Sequence, residues 1–256
     1  MKSRIISVSG KGGTGKTTLV ALLLKVLLES NKYDSILVVD ADPATNLPDV
    51  LGIEVEKTVG MVANELKKKI EKGLIPIGVS KSDLLEAWVY STLVELQDFD
   101  LLAMGRTEGE GCYCYVNSVL TRILDTISTN YQVVLMDMEA GLEHISRRTD
   151  RDVDTMIIIT DPSLMGLKTA KRIRDLLREV HVDVREVYLV GNCCSEETEK
   201  LVRDWATRIG VKYAGALPYD ANVAEFNLKG IPLLKLPSNS PSVIATRRIA
   251  NTIGLI

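Results

Sequence analysis

Gly10-Lys11-Gly12-Gly13-Thr14-Gly15-Lys16-Thr17-Thr18 is the stretch on which the reading of this chain turns. A short apolar run precedes it and an apolar helical pattern follows from Lys16. The segment satisfies G-x-x-x-x-G-K-[ST] between a strand and a helix. Glycines let backbone N–H groups turn inward around phosphate oxygens, and the helix N-terminus adds its positive dipole end. The pattern predicts that Gly12, Gly13, Thr14, Gly15, Lys16, Thr17 and Thr18 surround the phosphates of ATP or ADP. Lys16 is expected to reach the β- and γ-phosphates and the Thr17 hydroxyl to ligate Mg²⁺. The same glycines also fit a dinucleotide fingerprint at Gly10, Gly12 and Gly15, with Asp40 roughly where a ribose-binding acid belongs. The Lys16-Thr17 pair decides against that alternative, because a dinucleotide turn brings pyrophosphate to bare backbone.

Outward from the loop, short apolar runs alternate with longer helical patterns. Strands are expected over 5–9, 35–39, 101–104, 133–137, 155–160, 187–191 and 213–217. Several are continuous Val/Ile/Leu runs, as in parallel strands covered on both faces. Helices are expected over 16–30, 116–128, 164–180, 195–209 and 242–252. The alternation predicts a doubly wound α/β fold, a mostly parallel sheet flanked by helices, with ligands at the carboxyl ends of the strands. Residues 1–256 read as a single P-loop ATPase domain. The stretch 58–97 reads as a helical insertion on the sheet edge, two helical segments without an obvious strand pair.

The chain has 256 residues, of which 46% are apolar and 25% charged, enough for a sizeable core and unlike a disordered composition. A net charge of −3 offers no general attraction to nucleic acid or anionic lipid. The first strand begins near Ser3, which leaves no room for a signal peptide ahead of it, and no apolar run is long enough to span a membrane. These features predict a cytoplasmic protein with neither nucleic acid nor membrane as partner.

Lys11, a second lysine early in the loop, marks the deviant Walker A pattern. The segment resembles that family of P-loop ATPases, which includes bacterial partition and division-site ATPases (MinD and ParA), nitrogenase iron protein and arsenite-pump ATPases. The resemblance implies a homodimer in which Lys11 crosses to the partner's nucleotide and neutralises transition-state charge, as an arginine finger does elsewhere. Asp40-Ala41-Asp42-Pro43 follows the second strand, where the family carries switch I. By resemblance Asp42 orients the attacking water and Asp40 sits nearer the Mg²⁺ shell. The apolar run over 133–136 ends in Asp137, a Walker B pattern expected to reach Mg²⁺ through water. Gly141 suits a mobile switch II loop. Asn192 and the Leu217-Pro218 turn match places where this family holds the base, and either also reads as an ordinary strand-end turn.

The four cysteines form two tight pairs. In a reducing compartment they read as thiols or metal ligands. Cys112-Tyr113-Cys114 follows a glycine-rich approach to a helix, where thiolates are favoured as soft ligands. Alone, such a pair is as readily incidental. A two-fold dimer would supply the other two thiolates of a four-ligand site. Cys193-Cys194 reads as small residues at a strand end, His181 as a solvated turn residue, and His144 as part of switch II.

Asp137-Met138-Glu139-Ala140-Gly141-Leu142-Glu143-His144 together with Cys112-Tyr113-Cys114 resembles the CooC family of carbon monoxide dehydrogenase maturation ATPases. A related group serves acetyl-CoA synthase. The resemblance runs from the glycine loop to about Asp220. It implies an ATPase that binds Ni²⁺, or Zn²⁺, through Cys112 and Cys114 at the dimer interface and assists nickel insertion into a client enzyme. Two other readings stand beside it. One is a MinD/ParA-type positioning ATPase, for which Arg247 and Arg248 on the last helix offer little basic surface. The other is an iron–sulfur ATPase, for which C-x-C is cramped.

Overall fold

The computed structural model describes residues 3–74, 90–106, 128–139, 153–179 and 184–256. Cys112, Cys114, Gly141, His144, His181 and all but the last residue of the helix expected over 116–128 lie outside them. The apolar runs become β1 (Arg4–Gly10), β2 (Ile36–Asp40), β3 (Val94–Glu95), β4 (Asp100–Ala103), β5 (Val133–Asp137), β6 (Val153–Thr160), β7 (Val184–Gly191) and β8 (Lys212–Ala216). They form one eight-stranded sheet in the order β3-β4-β2-β5-β1-β6-β7-β8. Every described pairing is parallel except β3 with β4. The described helices are α1 (Lys16–Ser30), α2 (Leu47–Leu51), α3 (Val59–Glu71), α4 (Leu164–Glu179), α5 (Glu196–Ile209), α6 (Ala221–Lys229) and α7 (Pro241–Thr252).

The continuous apolar runs are explained by burial on both faces. Ile36 and Val38 of β2 pack with α1, α2 and α7, whereas Leu37 and Val39 join α3, α4 and α5 on the other side. The same division holds along β5 and β6, with Leu135 and Ile157 on the first face and Val134, Met136, Met156 and Ile158 on the second. Helix α1 is buried from Leu19 to Leu27 without interruption. A helix apolar all round belongs inside a core, and here that places the glycine loop at its N-terminus on a rigid support. The α7 end is tied back to the sheet. Arg4 donates to the carbonyls of Ile253 and Gly254, and Lys32 and Tyr33 donate to that of Leu255 at 3.1 and 2.8 Å.

Three elements were not expected, each for a local reason. Helix α2 is one short turn with Pro48 at its second position. Helix α6 fully buries none of its side chains, so it carries no apolar stripe to read. Strand β3 has two residues, too few for any period, and it lies inside the stretch read as a helical insertion. In that stretch α3 is the described helix and β3 pairs antiparallel on the sheet's edge.

Asp220 fastens the C-terminal layer. Its Oδ1 accepts from Asn222 N at 2.9 Å, capping α6, while Oδ2 accepts from Ser240 Oγ at 2.5 Å and Ser242 N at 2.8 Å, capping α7. Burial raises its pKa, but the Ser240, Ser242 and Asn222 hydrogen bonds outweigh that and hold it below the ordinary aspartate value. A depressed carboxylate pKa stabilises the fold above the unfolded value, and the contribution is lost as pH falls through the folded one. Asp220→Ala is expected to cost about 2–3 kcal/mol in denaturant unfolding at pH 7. The gap between wild type and variant is expected to narrow as the pH drops below about 4.

Candidate active site

The carboxyl ends of β2, β5, β1, β6, β7 and β8 all open on one edge of the sheet, and the residues singled out from sequence gather there. The loop leaves β1 at Gly10, where a Cβ would stand 2.3 Å from the Ile159 carbonyl of β6. It re-enters α1 at Gly15, whose φ of 92° is left-handed and whose Cβ would meet Asn192 Nδ2 at 2.4 Å. Both positions therefore exclude a side chain. Between them Thr14 is buried and folds back on Lys11, giving its Oγ1 proton to the Lys11 carbonyl at 2.7 Å. Gly12 and Gly13 are exposed at the tip, Lys11, Thr17 and Thr18 are half-buried, and Lys16 is buried. No acidic residue occupies the first turn of α1, so its dipole faces an anion unopposed.

Asp40 and Asp137 end adjacent strands and are direct register partners, both without exposed surface. Their surroundings differ. Asp40 is satisfied by backbone: Oδ1 accepts from Asp42 N at 3.0 Å and Oδ2 from Leu47 N at 2.9 Å. Both oxygens of Asp137 are buried and make no hydrogen bond of ordinary geometry, although the Thr17 hydroxyl lies close enough to act on them. Burial pushes Asp137 up to about 6, with the Thr17 hydroxyl and the Lys16 ammonium pulling it down and Asp42 pushing it up. Asp40 is raised to about 7, first by burial and then by the negative charges of Asp137 and Asp42, against the Leu47 and Asp42 amides. An orphaned buried carboxylate beside a threonine hydroxyl and a lysine suits Mg²⁺, which binds proteins through one or two carboxylates plus substrate phosphates. Among the described residues no three His, Cys, Asp or Glu side chains are grouped to hold a metal by themselves.

Asp42 is half-buried at the mouth of this pair, and its Oδ1 accepts from Ala44 N at 2.9 Å. On the other side of the loop, Asn192 Nδ2 donates to the Thr14 carbonyl at 2.9 Å and Oδ1 accepts from Cys193 N at 3.0 Å. The amide expected at a base is here engaged with the glycine loop. Nothing in the sequence signals that contact, which spans 178 positions. The two turns expected near the base adjoin, since Leu217 N donates to Gly191 O at 2.9 Å and Cys194 N to Leu217 O at 3.0 Å. Pro218 is half-buried beside them. Cys194 is buried, and that burial raises its thiol to about 11, so it is inert at neutral pH.

Residues 3–187 match a family described as AAA domain. An uncharacterized ATP-binding protein of Methanocaldococcus jannaschii is 51% identical over 249 residues, 97% of this chain and 98% of the relative. The carbon monoxide dehydrogenase accessory protein CooC of Rhodospirillum rubrum is 27% identical over 241 residues, 88% of each chain. Among solved structures, the septum site-determining protein MinD of Pyrococcus horikoshii complexed with Mg-ADP has the same fold, with a TM-score of 0.68 and 24% identity over 98% of this chain and 96% of that one.

The packing at Gly15 makes a direct test. Gly15→Ala adds a Cβ at a left-handed φ and against Asn192, so ATP affinity is expected to fall at least tenfold by calorimetry, about 1.4 kcal/mol or more. Asn192→Asp replaces the donor to the Thr14 carbonyl with an oxygen. It is expected to weaken ATP and ADP alike, because both bind the loop that Asn192 braces.

Proposed function

This chain belongs to the AAA-domain family and is a P-loop ATPase, and we propose that it is a metallochaperone ATPase that closes as a homodimer around nucleotide and assists nickel insertion into a nickel enzyme. The orphaned Asp137 carboxylate beside Thr17 and Lys16 carries the ATPase half of this reading. Thr17 and Asp137 would hold Mg²⁺, which when bound would supply positive charge against that of the phosphates. Lys16 and the loop amides of Gly12 to Thr18 bind the phosphates. Asp42 leaves Ala44 N to accept a hydrogen bond from a water and aims it at the γ-phosphorus. Lys11, half-buried early in the loop, reaches the partner's nucleotide as charge develops. The half-buried Pro218 borders the base, with Asn192 bracing the loop behind it.

The nickel half rests on likeness to the CooC accessory protein together with the Cys112-Tyr113-Cys114 motif. Ni²⁺ or Zn²⁺ is the cargo, taken by Cys112 and Cys114 of each protomer. Carbon monoxide dehydrogenase or acetyl-CoA synthase is the client class, and the cytoplasm the site of action. Among the described residues no helix is long and apolar enough to cross a membrane.

Metal analysis alongside mass in solution tests the cargo site. Wild-type protein is expected to carry about one Ni²⁺ or Zn²⁺ per dimer, the count for four thiolates contributed equally by two chains. Changing both Cys112 and Cys114 to Ser should abolish it; unchanged stoichiometry sinks the assignment. For the ATPase, Asp42→Asn is expected to lower kcat about a hundredfold or more while ATP still binds. Full turnover in that variant would remove Asp42 from the reaction. Normal ATP-driven dimerisation and turnover in Lys11→Ala would remove the trans contact.

A further inference from the structure

The two register-paired aspartates invite the same role, yet the structure separates them. Asp137 has both oxygens buried with no backbone amide on either and only the Thr17 hydroxyl near, whereas Asp40 accepts from two backbone amides five residues apart, Asp42 N and Leu47 N. Those two bonds close the loop between β2 and α2 into a ring around one carboxylate. The ring is anchored on both sides. Met104 N donates to the Asp40 carbonyl at 2.8 Å, and Ala41 N to the Asp137 carbonyl at 2.9 Å.

Several local features show what the ring does. Asn46, the N-cap residue of α2, makes no side-chain cap. Asp40 supplies the missing acceptor instead, across seven positions, to the first helical amide. Leu47 is itself fully buried, so its amide has no water to fall back on. Thr45 stands at φ 54°, a left-handed conformation rare for a β-branched residue and held only where its surroundings impose it. Thr45 N in turn donates to the Asp42 carbonyl at 3.0 Å. The backbone that carries Asp42 is therefore fixed from within the ring, while among the described residues the Asp42 side chain is tied to Ala44 N alone.

We propose that Asp40 is a positioning residue, the clasp of the 41–47 loop that presents Asp42 to the γ-phosphate, and not a ligand of Mg²⁺. Each Asp40 oxygen already holds a loop amide, so turning that carboxylate towards a metal would strain the two bonds that fix the loop. The neighbouring Asp137 carboxylate, which holds no backbone amide, would take the metal instead. Only the Asp42 side chain changes partner when a water is held. The clasp deepens the ATPase reading given above and rests on Asp42 being its water-orienting group.

Amide hydrogen exchange on the full chain, with and without Mg²⁺ and a non-hydrolysable ATP analogue, tests this without any variant. The Asp42 and Leu47 amides are expected to stay protected when Mg²⁺ and analogue bind. Loss of protection at Leu47 on loading would overturn the clasp. Asp40→Asn, which cannot offer two acceptor oxygens, is expected to speed exchange at one or both amides. It should lower kcat at least about tenfold with KM for ATP within about threefold, and leave the half-saturating Mg²⁺ concentration unchanged. Asp137→Asn should raise that Mg²⁺ concentration about tenfold or more. A matching rise in Asp40→Asn overturns the proposal, as does unchanged exchange at both amides. If Asp40→Asn fails to fold, the wild-type exchange comparison decides. If Asp42→Asn hydrolyses ATP normally, the reading of Asp42 has failed, and the exchange data still say whether Asp40 holds the loop or the metal.

Discussion

No side chain fits at Gly10 or Gly15, and the rest of the site depends on that constraint. At Gly10 the obstacle is the backbone of β6, and at Gly15 it is a side chain from the end of β7. A loop tight enough to expose its amides to phosphate can be made only by drawing β1, β6 and the β7 turn this close. The sheet order places these strands consecutively, so one steric demand ties the loop to the parallel architecture. Helix α1 then leaves the loop straight into the core. Its depth of burial holds the dipole end in place without any side-chain cap.

Around this scaffold the electrostatics are unbalanced in a specific way. Two carboxylates sit side by side in strands without exposed surface, and Asp42 adds a third negative charge at the mouth. Burial comes first in raising both strand aspartates, and negative charge adds to it, from Asp137 and Asp42 at Asp40 and from Asp42 at Asp137. Lys16 opposes them from the loop. A cation entering with an anionic phosphate chain answers both sides of this imbalance. Burial disfavours ionisation of both acids, and a bound cation would offset that.

Much of this was legible in the sequence because it is local. The glycine loop, the apolar run ending in Asp137 and the strand–helix alternation are contiguous patterns with known periods, and seven strands and α1, α4, α5 and α7 fall close to where those patterns put them. What could not be read is non-local or lacks a period. Asn192 reaches Thr14, and Asp220 reaches Ser240, across stretches that no spacing rule connects. Asp40 shows the limit best. As a residue type at a strand end it is indistinguishable from Asp137, and only the positions of two backbone amides give the pair different work. Helix α6 and strand β3 fail for the opposite reason, having too little buried surface or length to leave a signal.

A fixed loop and a neighbouring carboxylate without a backbone amide also constrain how nucleotide state could be passed on through the chain. If the 41–47 segment keeps its shape through loading, the signal of γ-phosphate loss does not travel by collapse of that loop. It must pass through groups whose partners change, namely the Asp42 side chain and whatever the Asp137 carboxylate holds. Asp137 is continuous in sequence with the Met138–Glu139 pair, and Met138 N and Ser9 Oγ already bind that segment to β1 through Val8 O and Glu139 O. Nucleotide state would then reach β1 and β5 rather than the first acidic loop. Coupling of that kind is reciprocal, so any ligand that senses those strands would change nucleotide affinity in equal measure.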